Sequence, residues 1–192
     1  MWKSIAVWSV IVSAALCTGT AGAISFEARG FDALAGEADQ IVVGTVAAIG
    51  SRRTGPREIV TDFRFDNLNV IKGAVPASSL TLTMLGGTVG TDALKVAGAP
   101  TFQRGVRYLV FVSGNGSVMF PLVGGQQGIF QIRKEGPAGV SRVHDHAGRP
   151  ITRLPGRAGK VEMEIAADSG EAMTEATFVA AIHTTLTAKG AQ

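Results

Sequence analysis

The sequence predicts a mainly β domain curled into a small closed barrel, with a short helix before it and a helix after it. Three observations carry this expectation. Between about residues 38 and 135, apolar residues recur with period two or in short β-branched runs, the pattern of pleated strands. One segment, Glu58 to Ile71, changes its apolar side halfway along, which requires an extra residue and bends the strand. Near the C-terminus the apolar spacing becomes four, that of a helix.

The chain opens on a short positive start, Met1 to Lys3, followed by an uncharged apolar run from Ser4 to Leu16 and the small-x-small triplet Ala21-Gly22-Ala23. This order is that of a cleavable export signal over residues 1–23, with export to the periplasm or the extracellular space. A retained anchor would need a longer apolar run. A lipidated Cys17 would need a small residue before it where Leu16 stands. The remaining 24–192 are expected to form one domain, with a barrel core at about 38–135 and a hairpin and helix at about 136–189. No membrane span is expected after cleavage.

Phe31, Leu34, Ala35 and Ala38 give a short leading helix bracketed by Gly30 and Asp39. Ile41 to Ile49 is the first strand, and Ser51 to Arg57, rich in Arg, Gly and Pro, reads as a loop. In Glu58 to Ile71 the set Ile59, Thr61, Phe63, Phe65 gives way to Leu68 and Val70, placing a bulge at about Asp66-Asn67. Leu80, Leu82 and Met84 mark a third strand. The glycine-rich 86–90 then bends the chain, and 93–96 is a brief strand. Val106 to Val112 is apolar at nearly every position, as in a strand buried on both faces or lining a closed barrel. Asn115-Gly116 is expected to turn a hairpin into Val118 to Val123.

Ile129 to Arg133 alternates again, and 140–144 with 151–154 reads as a second hairpin. Val161, Met163 and Ile165 suggest an edge strand. Thr174 is placed to cap a helix over Glu175 to Ala188, with the stripe Phe178, Ile182, Leu186 packed on the barrel.

The formal charge of +3 is small, and the basic residues are interspersed with Gly, Pro and Thr rather than stacking aromatics, which argues against a nucleic-acid partner. The one cysteine, Cys17, lies inside the signal, so disulfides and thiolate metal sites are excluded from the mature domain. Gly86-Gly87-Thr88-Val89-Gly90 lacks the following helix that a phosphate-cradling loop needs. Ser117 lacks the Gly-x-Ser-x-Gly setting of a nucleophile. Glu162 and Glu164 have no second group placed at acid/base distance. His144 and His146, two apart, would share a face if both lay on a strand, and with His183 they form the alternative of a metal-binding protein or metal-dependent hydrolase.

The order of the pieces carries a resemblance. Ala38-Asp39-Gln40-Ile41-Val42-Val43, a long strand closing in Lys72-Gly73, and Gly105-Val106-Arg107-Tyr108-Leu109 resemble a group of uncharacterised exported bacterial proteins. The same order is similar to the netrin-like module of the tissue inhibitors of metalloproteinases. There, "AD-x-V", "KG" and "G-x-x-YL" mark a five-stranded oligonucleotide/oligosaccharide-binding (OB) barrel. The likeness spans about Ala38 to Ser113. It implies an OB-like closed barrel that binds a partner through one strand face and its rim loops, with Gly87, Thr88 and Val89 as contact residues. The inhibitors' amino-terminal cysteine has no counterpart, so their zinc-directed mechanism does not carry over. The expected function is therefore an exported, non-catalytic binding or inhibitory module without a cofactor, directed at a protein or glycan of the envelope or medium.

Overall fold

A computed structural model describes residues 29–75, 78–154 and 171–190. The expected export signal, the edge strand at 161–165 and the pair Glu162 and Glu164 lie outside the described residues.

The leading helix α1 (Phe31–Glu37) buries Phe31, Leu34 and Ala35. Two long strands follow, β1 (Gln40–Gly55) and β2 (Glu58–Lys72), joined at Pro56-Arg57. The loop expected over Ser51 to Arg57 is therefore strand as far as Gly55. Its arginines lie on a ribbon where Arg52 meets Asp62 of β2 at 2.7 Å, so charge that reads as loop is paired across strands. The expected bulge is present. Val43 pairs with Asn69 and Thr45 with Asp66, which sets Gly44 against two residues, Asn67 and Leu68. Asn67, at φ 53°, is the one non-glycine residue with positive φ among the described residues. After the bulge Leu68 packs beside Phe65, but Val70 is 41% exposed and Ile71 turns to the opposite face instead.

Next come β3 (Leu80–Leu85), β4 (Gly87–Val89) and β5 (Asp92–Leu94), the last two forming a small ribbon. The glycine-rich stretch expected as a bend is thus partly strand, turning at Gly90-Thr91. Strand β6 (Arg107–Val112) is followed by a wide excursion, a 3-10 turn (Gly125–Gly128) and β7 (Ile129–Glu135). The hairpin strand expected at Val118 to Val123 does not form. β7 already occupies that edge of β6 from Arg107 to Val110, leaving room for a single bridge, Val112 to Leu122. Strand β8 (Val140–Asp145) pairs with β7, and its expected hairpin with 151–154 is reduced to a bridge between His144 and Pro150. Helix α2 (Glu175–Gly190) ends the described chain, with Thr174 Oγ1 accepting the Thr177 N–H at 3.1 Å as its cap.

The main sheet is antiparallel in the order β3-β2-β1-β6-β7-β8, and β4-β5 stand apart. The fold is mainly β with two helices. No ladder joins the edges β3 and β8, so strand pairing among the described residues does not close the sheet into a barrel. Both faces of the central strands are buried, as the apolar run of β6 requires. On one face Ile41, Val43, Leu109, Phe111, Phe130, Ile132 and Val143 pack beneath α1 and under Phe178 and Ile182 of α2. On the other, Val42, Val46, Phe63, Phe65, Leu82, Met84, Tyr108 and Val110 form a second core. Phe102 seals it edge-on, its ring centroid 5.0 to 5.2 Å from those of Phe63, Phe65 and Tyr108.

Candidate binding groove

The β4-β5 ribbon is fastened to the β1-β2 pair by a chain of hydroxyls. Thr61 Oγ1 donates to the Gly86 carbonyl at 2.7 Å. Its single proton being used there, the 2.9 Å contact with Ser51 Oγ has serine as the donor. Ser51 Oγ in turn accepts the Thr88 N–H at 3.4 Å. Gly87 lies over both hydroxyls at φ +139°, and a Cβ there would come within 2.5 Å of Ser51 Oγ. Only glycine permits that approach. Arg53, paired with Asp92, ties the far strand of the ribbon to β1.

Beside the ribbon, Asp62 accepts from Arg52 Nε at 2.7 Å and from Thr83 Oγ1 at 2.7 Å, linking β1, β2 and β3 in one row. Partial burial opposes ionisation of Asp62. The hydrogen bonds from Arg52 and Thr83, with the charge of Arg52, outweigh it and hold the carboxyl below its ordinary 3.8.

The segment after β6 lies along the free edge of β3. Asn115 Nδ2 donates to the Thr81 carbonyl at 2.8 Å, and the Leu85 N–H donates to the Met119 carbonyl at 3.2 Å. Between the two fastenings the chain turns, the N–H groups of Ser117 and Val118 both donating to the Gly114 carbonyl. A groove of ≈ 660 Å3 opens there, lined by Val60, Thr83, Leu85, Leu94, Val118 and Met119, with Arg57 and Glu58 at its rim. Val118 is 50% exposed and Met119 51%. Two large apolar side chains half in water beside a groove are a feature of interaction sites.

Of the residues expected to make contact, Gly87, Thr88 and Val89 form β4 next to this groove without lining it; Thr88 is exposed. Thr83, Val118 and Met119 were not among the sequence candidates. Val118 and Met119 read there as a strand following a turn, and only their failure to pair exposes them.

The histidines are not brought together. His144 is buried on β8, with Nε2 at 3.0 Å from Glu135 Oε1 and Nδ1 enclosed without a hydrogen-bond partner among the described residues. The strand ends at Asp145, whose carboxylate accepts the Arg149 N–H and Nε–H, both at 2.8 Å, and turns the chain. His146 therefore falls in the turn, exposed, and His183 is exposed on α2. No group of three or more His, Cys, Asp and Glu side chains stands at metal-holding distance among the described residues.

Comparison of the chain with protein-family models, with curated proteins and with solved structures gave no match in any of the three. Among the described residues no helix is long and apolar enough to cross a membrane.

Proposed function

We propose that this chain is an exported, non-catalytic binding or inhibitory module on an OB-like barrel, engaging a protein or glycan of the envelope or medium. The observation that carries the reading is the groove beside β3, where Val118 and Met119 stand half exposed in a lining shared with Val60, Leu85 and Leu94. The barrel reading draws support from the strand order. In β3-β2-β1-β6 three hairpin-ordered strands are followed by one that returns beside the first, a Greek-key order continued by β7 and β8, and OB barrels are partly open Greek-key barrels. The bonds from Asn115 to Thr81 and from Leu85 to Met119 fasten the connection after β6 to the β3 edge.

Affinity capture from envelope and medium fractions tests it, with the folded chain and a Val118→Asp, Met119→Asp variant as parallel baits. The expected result is one or more partners held by the native chain and released by the variant. Equal capture by both, or none by either, contradicts the reading.

A further inference from the structure

The two edges of the main sheet are treated differently. At β8 the middle and end of the strand are covered by backbone: Val143 N–H donates to the Met173 carbonyl, Ile151 N–H to the Val143 carbonyl and Asp145 N–H to the Arg149 carbonyl, all at 2.9 to 3.0 Å. At β3 the cover is incomplete. Gly86 N–H donates to the Ile59 carbonyl, which sets the alternation of the β2-β3 ladder and makes Thr61/Met84, Phe63/Leu82 and Phe65/Leu80 the bonded pairs. Thr81, Thr83 and Leu85 therefore point their N–H and C=O groups outward. Asn115 satisfies the Thr81 carbonyl and Met119 the Leu85 N–H, while the N–H and C=O of Thr83 have no partner among the described residues.

β3 carries no charge and no proline, the usual guards of an edge. What lies against it is a stand-in for a strand. An amide N–H from Asn115 and a carbonyl from Met119 occupy the places of a neighbouring backbone, and the place opposite Thr83 is left out. The chemistry of that stand-in identifies the occupant as peptide backbone.

Resting on the reading of this chain as a binding module, we propose that the β3 edge is a strand-addition site for an extended segment of a partner polypeptide. The segment lifts the 114–119 loop, pairs with Thr81, Thr83 and Leu85, and sets an apolar side chain into the groove beneath Val118 and Met119. The loop gives up two hydrogen bonds, and the incoming backbone replaces both and adds those of Thr83.

The test uses a phage-displayed library of random peptides of about seven residues, a typical strand length, selected on the folded chain. The best sequence is then synthesised for fluorescence-polarisation titration. Thr83→Pro removes an outward N–H that the β2-β3 ladder does not use, so the sheet is retained while affinity falls about ten-fold or more. Asn115→Ala frees the Thr81 carbonyl and loosens the cover, so affinity rises several-fold; a gain cannot come from misfolding, and this variant decides alone if Thr83→Pro does not fold. Selected peptides that bind both variants like the native chain overturn strand addition and leave the binding-module reading standing. Failure to select any peptide overturns it as well, whereas only the capture experiment with the Asp variant bears on that broader reading. A dimer in sedimentation that Thr83→Pro abolishes would give the edge to a second copy of this chain and likewise overturn the proposal.

Discussion

Gly44 of β1 faces the bulge of β2 and leaves the space that Leu68 fills: a Cβ on Gly44 would stand 2.8 Å from Leu68 Cδ2 and 3.3 Å from Phe65 Cβ. The bulge and the missing side chain are two halves of one feature. Gly44→Ala is expected to lower stability by about 1–3 kcal/mol, the usual range for overpacking a filled core. Adding Leu68→Ala should recover part of that loss, because the clash goes with the side chain. Urea denaturation of the two single variants and the double variant reads the coupling, and strict additivity would refute it.

Lys72 reaches from the end of β2 to α1, where Nζ donates to the carbonyls of Ala35 at 2.9 Å and Gly36 at 3.1 Å. These carbonyls are left over at the helix end, where a cation is also favoured by the helix dipole. Lys72→Met is expected to destabilise the fold by about 1 kcal/mol. Thermal unfolding measures the change, and an unaltered midpoint would show the contact to be idle.

Gly87→Ala forces a methyl group onto the Ser51 and Thr61 hydroxyls. The expected outcome is release of the β4-β5 ribbon with the main sheet intact, so hydrogen exchange should quicken at Thr88 and Val89 while the amides of β6 keep their protection. Uniform loss of protection would instead mean that the ribbon is integral to the global fold.

Asp62 makes stability depend on acidity. Its folded pKa lies below the ordinary 3.8, so its contribution is complete above about pH 4 and is lost as pH falls through the lower folded value. Asp62→Asn should flatten the acid limb of the urea midpoint plotted against pH. The effect is modest because Asp62 is paired at a partly open surface.

Tyr108 is the single tyrosine of the chain, so phenolate absorbance reads it alone. Burial, opposed by the hydrogen bond from Gln103 and by the charge of Arg133, lifts its pKa above 10.0. The native titration should lie above that of the urea-unfolded chain. The raised value means that stability is whole below pH 10 and declines as the pH climbs toward the folded pKa. Coincident native and unfolded curves would count against burial of the ring.

The strands were most legible where hydrophobic period and burial agree, as in β6 and the bulged β2. The bulge itself could be read because a slip of one residue must appear as a change in apolar parity. Charge misled at Arg52 and Arg53, since a sequence does not display the aspartates that a ribbon brings opposite them. Asn115-Gly116 misled for another reason: turn chemistry is local, whereas the edge it needed was taken by β7, reached only later in the chain. The residues behind the netrin-like resemblance have structural tasks. Asp39 accepts the Gly114 N–H at 2.8 Å, Lys72 caps α1, Gly105 N–H donates to Val46 and the Tyr108 hydroxyl accepts the Gln103 N–H. They hold local structure in place, and the groove draws on Thr83, Val118 and Met119, which no motif singles out.

Strand β1 has β2 on one side and β6 on the other, and the second neighbour arrives in sequence only after β2, β3 and the ribbon have gone by. A chain growing from its N-terminus therefore holds Ile41 and Val43 ready long before Leu109 and Phe111 exist to cover them. Such distant pairing delays folding and prolongs the time during which greasy surface is bare. A fragment ending ahead of Arg107 should therefore aggregate rather than settle into a half-built native state.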